Sequence, residues 1–181
     1  MPQYADTYYT STDGLRLFAR DYPGPDSTAA TLVCLPGLTR NSKDFSDLAA
    51  HLAQRFRVLC PDMRGRGRSA RDAKPENYRP DVYVGDVWRL LDGLGVDTVG
   101  VIGTSLGALM AMLMNAVAPV RITRTVLNDA GPELDARGLA RIASYTGKHS
   151  PPMTTWAEES RRIAATYGVC SRDFMPVGWD D

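Results

Sequence analysis

Apolar and polar positions along this 181-residue chain fall into short blocks whose periods switch between those of strands and helices. Tyr4 to Thr10 and Leu15 to Tyr22 read as paired strands joined by a turn at Thr12-Asp13-Gly14, and Pro23-Gly24-Pro25-Asp26 ends the pair. Thr31-Leu32-Val33-Cys34-Leu35 is continuously apolar, the pattern of a strand covered on both faces, and it stops at Pro36-Gly37. A helix is expected from about Asp44 to Gln54, with Phe45, Leu48 and Leu52 on one face. Val58-Leu59-Cys60 follows as a short buried strand. Pro80 and Asp81 open a second helix, because proline suits the first turn and an acid suits the positive end of the dipole. Its stripe of Val84, Val87, Trp88 and Leu91 is core. Thr98 to Ile102 is a strand, and Leu106 to Ala118 is a helix so apolar all round that burial is expected. Thr125 to Asn128 is one more strand.

Strands alternating with helices imply an α/β fold: a mainly parallel central sheet with helices on both faces. The pattern changes at Gly131-Pro132. Two amphipathic helices follow, near Leu134 to Tyr145 and Thr155 to Tyr167, with Thr155 and Glu158 at capping-box spacing in the second. The expected division is therefore a core over residues 1–130 and a helical segment over 131–181. An apolar share of 44% and a charged share of 23% are those of an ordinary globular protein. Zero formal net charge and the absence of a long basic block argue against nucleic acid and anionic membranes as partners. No apolar run approaches a membrane span, and Met1 to Asp6 does not resemble a signal peptide. Cys34, Cys60 and Cys170 are expected to be free thiols in a reducing compartment, which makes the cytoplasm the default location.

The chemistry concentrates in Val99-Gly100-Val101-Ile102-Gly103-Thr104-Ser105-Leu106-Gly107-Ala108-Leu109-Met110. Gly-x-Ser-x-Gly alone is a weak pattern; a β-branched run before it and a helix-forming run after it make it specific. A strand leading straight into a helix forces the serine onto a sharp turn with its hydroxyl above the sheet. Glycines flank it because a Cβ there would collide as the helix folds back on the strand. A plain helix N-cap serine is the alternative. The segment resembles the nucleophile elbow of the α/β-hydrolase family, with Ser105 as the candidate nucleophile.

That resemblance implies an oxyanion hole made by the backbone N–H of Leu106 and one from the loop Leu35-Pro36-Gly37-Leu38-Thr39-Arg40, where Leu38 is the donor. Pro36-Gly37 stands where the family commonly has His-Gly. Pro61-Asp62-Met63-Arg64-Gly65-Arg66-Gly67-Arg68-Ser69 is similar to the family's loop after the fourth strand, in which Asp62 and the glycines shape a tight turn. Gly65 to Ala70 also matches a dinucleotide fingerprint, but Arg71-Asp72-Ala73-Lys74-Pro75 breaks rather than opens the helix that such a site needs. No cofactor or metal is implied.

Two histidines exist, His51 in the first expected helix and His149 in a loop of the 131–181 segment. The family order of Ser, acid, His puts the histidine after the last strand, so neither is the expected base. Asp129 follows the strand after the elbow, where some relatives carry their acid; a role in the pocket or hinge is the other reading. The resemblance covers the front of the fold plus a partial helical cap and leaves it C-terminally incomplete. It therefore implies a second polypeptide or remaining C-terminal segment that covers the edge strand Thr125 to Asn128 and supplies the base. The implied activity is hydrolysis of ester-like or carbon–carbon bonds through an acyl-enzyme on Ser105. Apolar cap residues such as Met153 and Trp156 suggest a hydrophobic acyl pocket for a small-molecule substrate, packing between helices being the other reading of them. Esterase, lactonase, amidase, carbon–carbon hydrolase and perhydrolase chemistry stay open, as does a non-catalytic ligand-binding module.

Overall fold

A computed structural model describes residues 4–131, 133 and 135–145. The expected helix over 155–167, His149, Met153, Trp156 and Cys170 lie outside the described residues. The chain divides into two compact units with the boundary between Leu134 and Asp135.

The first unit is built on one six-stranded sheet in the order β1-β2-β4-β3-β5-β6. Its strands are β1 (Ala5–Thr10), β2 (Arg16–Tyr22), β3 (Thr31–Leu35), β4 (Arg57–Asp62), β5 (Val99–Thr104) and β6 (Ile122–Asn128). β1 and β2 form the expected antiparallel hairpin, and β2 runs antiparallel to β4. The β4-β3-β5-β6 half is parallel, so the sheet is mixed.

Alternate side chains of the central strands feed two cores, one on each face. Val33, Leu35, Leu59 and Val101 join helices α2 (Pro80–Gly93) and α3 (Leu106–Val117) through Val84, Val87, Leu91, Met110 and Met114. On the other face Cys34, Val58 and Cys60 pack with Phe45 and with Ala49 of α1 (Ser46–Leu52). Cys34 and Cys60 are buried free thiols in this second core. This two-period burial, 2 in the strands and 3.6 in the helices, is what the hydrophobic pattern encodes.

Three expectations need correction. The helix placed over Asp44 to Gln54 is a short 3₁₀ turn, Ser42–Phe45, followed by α1. The Asn41 side chain accepts from the Lys43 N–H at 3.0 Å and starts the tighter turn, so Ala49 rather than Leu48 reaches the core. The helix after the elbow is buried on one face only: Leu113 and Val117 of α3 are exposed. β6 is longer than expected and nearly all of it is exposed. No described helix is long and apolar enough to cross a membrane.

In the second unit, α4 (Ala136–Tyr145) is amphipathic in sequence. It is capped by Asp135, whose carboxylate accepts from the Arg137 N–H at 2.8 Å.

Candidate active site

Ser105 joins β5 to α3 with φ 53° and ψ −113°, a conformation that L-residues rarely adopt. Such a backbone costs on the order of 1–3 kcal/mol and persists only where its surroundings over-determine it. Here they do. The Ser105 N–H donates to the Asn128 carbonyl at 2.8 Å, carrying the β5–β6 ladder one residue past the strand. Its own carbonyl accepts from the Ala108 N–H at 2.9 Å, opening the helix at once. A Cβ on Gly103 would stand 2.2 Å from the Gly107 carbonyl oxygen, and one on Gly107 would stand 2.0 Å from the Leu35 carbonyl oxygen. The turn is therefore closed by backbone packed directly on backbone. Ser105 is half-buried, and its hydroxyl has no hydrogen-bond partner among the described residues.

The loop after β3 comes to the same place. A Cβ on Gly37 would lie 3.8 Å from Ser105 Cβ. The Arg40 N–H donates to the Gly37 carbonyl at 3.1 Å, so Gly37 to Arg40 is a turn with Leu38 and Thr39 at its centre. The Leu38 N–H has no acceptor among the described residues, and the β3–β5 ladder ends at Leu35. The Leu106 N–H lies in the first turn of α3, where N–H groups have no intrahelical acceptor.

The loop after β4 braces this arrangement. One Asp62 carboxylate oxygen accepts from the buried Ser42 N–H and the other from the Arg68 N–H, both at 2.7 Å. Ser69 Oγ donates to the Asp62 carbonyl. Gly67 has φ 53°, and a Cβ there would stand 2.0 Å from Asp62 Oδ2, so the tight turn needs this glycine. The segment returns on itself through a Gly65 N–H bond to the Ala70 carbonyl at 2.8 Å and opens no helix, which removes the dinucleotide reading.

Arg64, next in the same loop, was not distinguished by pattern. It is 1% exposed, with ion pairs to Asp86 on α2, Asp72, and Asp13 in the β1–β2 turn at 2.7, 2.6 and 2.9 Å. Its charge is held firmly, first of all by the hydrogen bonds it donates to Asp86. Asp86 itself is pushed up by burial, against the pull of Arg64. An acid at position 86 within an apolar helical stripe was the available signal.

Asp129 follows β6 with φ 59° and is exposed, at the same end of the sheet as Ser105. Its side chain makes no hydrogen bond among the described residues. His51 is exposed in the last turn of α1. A cavity of about 510 Å³ beside the elbow is lined by Pro36, Gly37, Leu48, Ile102, Val126 and Leu127, with the Arg40–Asp44 ion pair at its wall. Among the described residues no group of three or more His, Cys, Asp or Glu is placed to hold a metal ion.

Residues 30–167 match the family model described as the alpha/beta hydrolase fold. The chain is 37% identical over 137 residues to a 3-hydroxybutyrate-oligomer hydrolase of Cupriavidus necator, covering 76% of this chain and 47% of that protein. It is 37% identical over 71 residues to epoxide hydrolase 2 of Siraitia grosvenorii, covering 39% of this chain and 22% of that one. Among solved structures, an alpha/beta hydrolase of Novosphingobium aromaticivorans is 47% identical with a TM-score of 0.85, over 91% of this chain and 57% of that one. The chain thus spans about half the length of its full-span relatives. A strained serine between β5 and α3, backbone-to-backbone packing at both flanking glycines, and the match over residues 30–167 agree: this chain belongs to the α/β-hydrolase family.

Proposed function

We propose that Ser105 is the nucleophile of a serine hydrolase that cleaves ester-like or carbon–carbon bonds. The observation that carries this reading is the φ of 53° at Ser105, an energetic cost that a purely structural serine has no reason to bear. In the proposed step Ser105 Oγ attacks the substrate carbonyl carbon, its proton passes to a base, and the leaving group departs with a proton. Water then releases the acyl group by the same route in reverse. The N–H groups of Leu38 and Leu106 take up the charge on the tetrahedral oxygen. Asp129 is an acid or pocket residue at the sheet edge beside it.

Two observations favour esters over epoxides. Position 105 is serine, whereas epoxide-opening members of this family use aspartate there. The longer curated match is to a hydrolase of 3-hydroxybutyrate oligomers. A short hydroxyacyl ester with an apolar acyl part fits the apolar lining of the cavity beside Ser105.

The base and the stronger candidate for the acid come, in this proposal, from a further segment or second polypeptide placed beside β6. His51 is the only described histidine and lies on the exposed side of α1. Residues 1–130 act as the hydrolase core and 131–181 as the start of the family's cap segment.

The test is labelling by a fluorophosphonate, alongside hydrolysis of a 4-nitrophenyl ester and of 3-hydroxybutyrate dimer. Ser105→Ala should abolish labelling and lower turnover by several powers of ten. Labelling that persists in Ser105→Ala would defeat the assignment. A wild-type protein that binds ester ligands yet never labels would instead favour a ligand-binding module.

A further inference from the structure

We infer that Arg66 is a positioning residue for oxyanion binding, holding the Leu38 peptide so that its N–H stays turned toward Ser105. The inference rests on the proposed role of Leu38.

Leu38 sits between two peptide planes, and the structure pins both by their carbonyls. The Gly37 carbonyl accepts from the Arg40 N–H at 3.1 Å, which closes the turn. The peptide is planar and trans, so the Leu38 N–H points opposite to that carbonyl. The Leu38 carbonyl, in the second plane, accepts from Arg66 Nε. Rotating the Leu38 N–H away requires compensating changes at Gly37 ψ and Leu38 φ, and the Arg66 bond resists the second.

Arg66 can resist because it is itself held. Its Nη1 donates to the Tyr83 hydroxyl at 3.2 Å and to the Arg64 carbonyl at 3.3 Å. The guanidinium lies 5.2 Å from the centre of the Tyr83 ring, and Tyr83 is 1% exposed on α2. The Arg66 backbone is fixed by its N–H bond to the Met63 carbonyl at 3.0 Å. A planar, forked donor is the side chain suited to bridge a carbonyl on one side and a phenol on the other. The Asp62 carboxylate, which holds Ser42 further along the same loop, fixes where the loop ends but not which way residue 38 faces.

The experiment compares wild type, Arg66→Met and Arg66→Lys in the full-length protein. It uses hydrolysis of a 4-nitrophenyl ester and the amide resonance of Leu38 by NMR. Displacing one oxyanion donor should lower kcat about 10- to 100-fold in Arg66→Met, with KM within about twofold, because the interaction strengthens in the transition state. Arg66→Lys, which can still donate to the Leu38 carbonyl, should recover part of the loss. The Leu38 amide should shift or broaden in Arg66→Met while core amides such as Val101 stay unchanged.

Unchanged kcat, an equal change in KM, or a Leu38 amide identical to wild type would each overturn the inference. If wild type shows no Ser105-dependent hydrolysis, the functional reading fails, and the Leu38 amide still decides whether Arg66 positions this peptide.

Discussion

A methyl group is enough to test how tightly the turn at Ser105 is drawn. Gly107→Ala would force a Cβ against the Leu35 carbonyl oxygen, where backbone rather than a flexible side chain must move. We expect a destabilisation beyond the usual range of about 0.5–3 kcal/mol, measured by denaturant unfolding. Gly14→Ala is the control: Gly14 has φ 86° but nothing within 4 Å of an added Cβ, so only the backbone penalty of about 1–2 kcal/mol applies. Equal effects of the two substitutions would show that packing on β3 does not constrain the elbow. In the same β1–β2 turn, Asp13 is held down to about 2 by hydrogen bonds from Arg64 and then Ser11. Its folded value lies below the unfolded one, so its contribution is present above about pH 4 and is lost as pH falls through about 2. The stability gap between wild type and Asp13→Asn should therefore narrow between pH 4 and pH 2 in urea titrations. A gap that widens in acid would contradict this sign.

Arg64 ties three separate pieces together: the β1–β2 turn through Asp13, the loop after β4 through Asp72, and α2 through Asp86. The same loop carries Arg66 and so leads to Leu38. Arg64→Met leaves Asp86, whose side chain is 4% exposed, as a buried carboxylate without its cation. Removing one partner of such a pair costs about 3–5 kcal/mol. The double variant Arg64→Met/Asp86→Leu should recover much of that loss, because the cost lies in the stranded charge rather than in the missing attraction. Thermal unfolding of the two variants checks this, and a double variant no more stable than the single one would count against it.

The described part of the sheet ends on β6, which has no neighbour on its far side among the described residues. Val126 is 53% exposed there, and Val117 and Val120 nearby are 70% and 87% exposed. An apolar edge with open N–H and C=O groups is a template for pairing. We expect this 181-residue chain, expressed alone, to self-associate with rising concentration in sedimentation velocity. Val126→Lys should suppress that association, since a charge on an edge strand disfavours strand-to-strand docking. A chain that stays monomeric at all concentrations would show that the edge is covered.

The hydrophobic pattern by itself located the six strands, α2, α3 and the elbow, because each is written in a local period or a short turn, but it cut β6 short and drew α1 too long. Ser105 was legible for the same reason: strand, glycine-flanked serine and helix are contiguous in the chain. Local pattern failed where a neighbour decides the outcome. Leu48 sits at a helical core spacing yet is 41% exposed, because a 3₁₀ turn set by Asn41 rotates the stripe. Arg64 and Arg66 read as two more arginines in a glycine-rich loop, and no spacing pairs the first with Asp13, Asp72 and Asp86 or the second with a carbonyl 28 residues away. Those partners meet only once β3 and β4 lie side by side and α2 covers them. Hydrogen bonds and ion pairs between distant segments depend on where chains cross in space, and that crossing is a property of the packed tertiary structure.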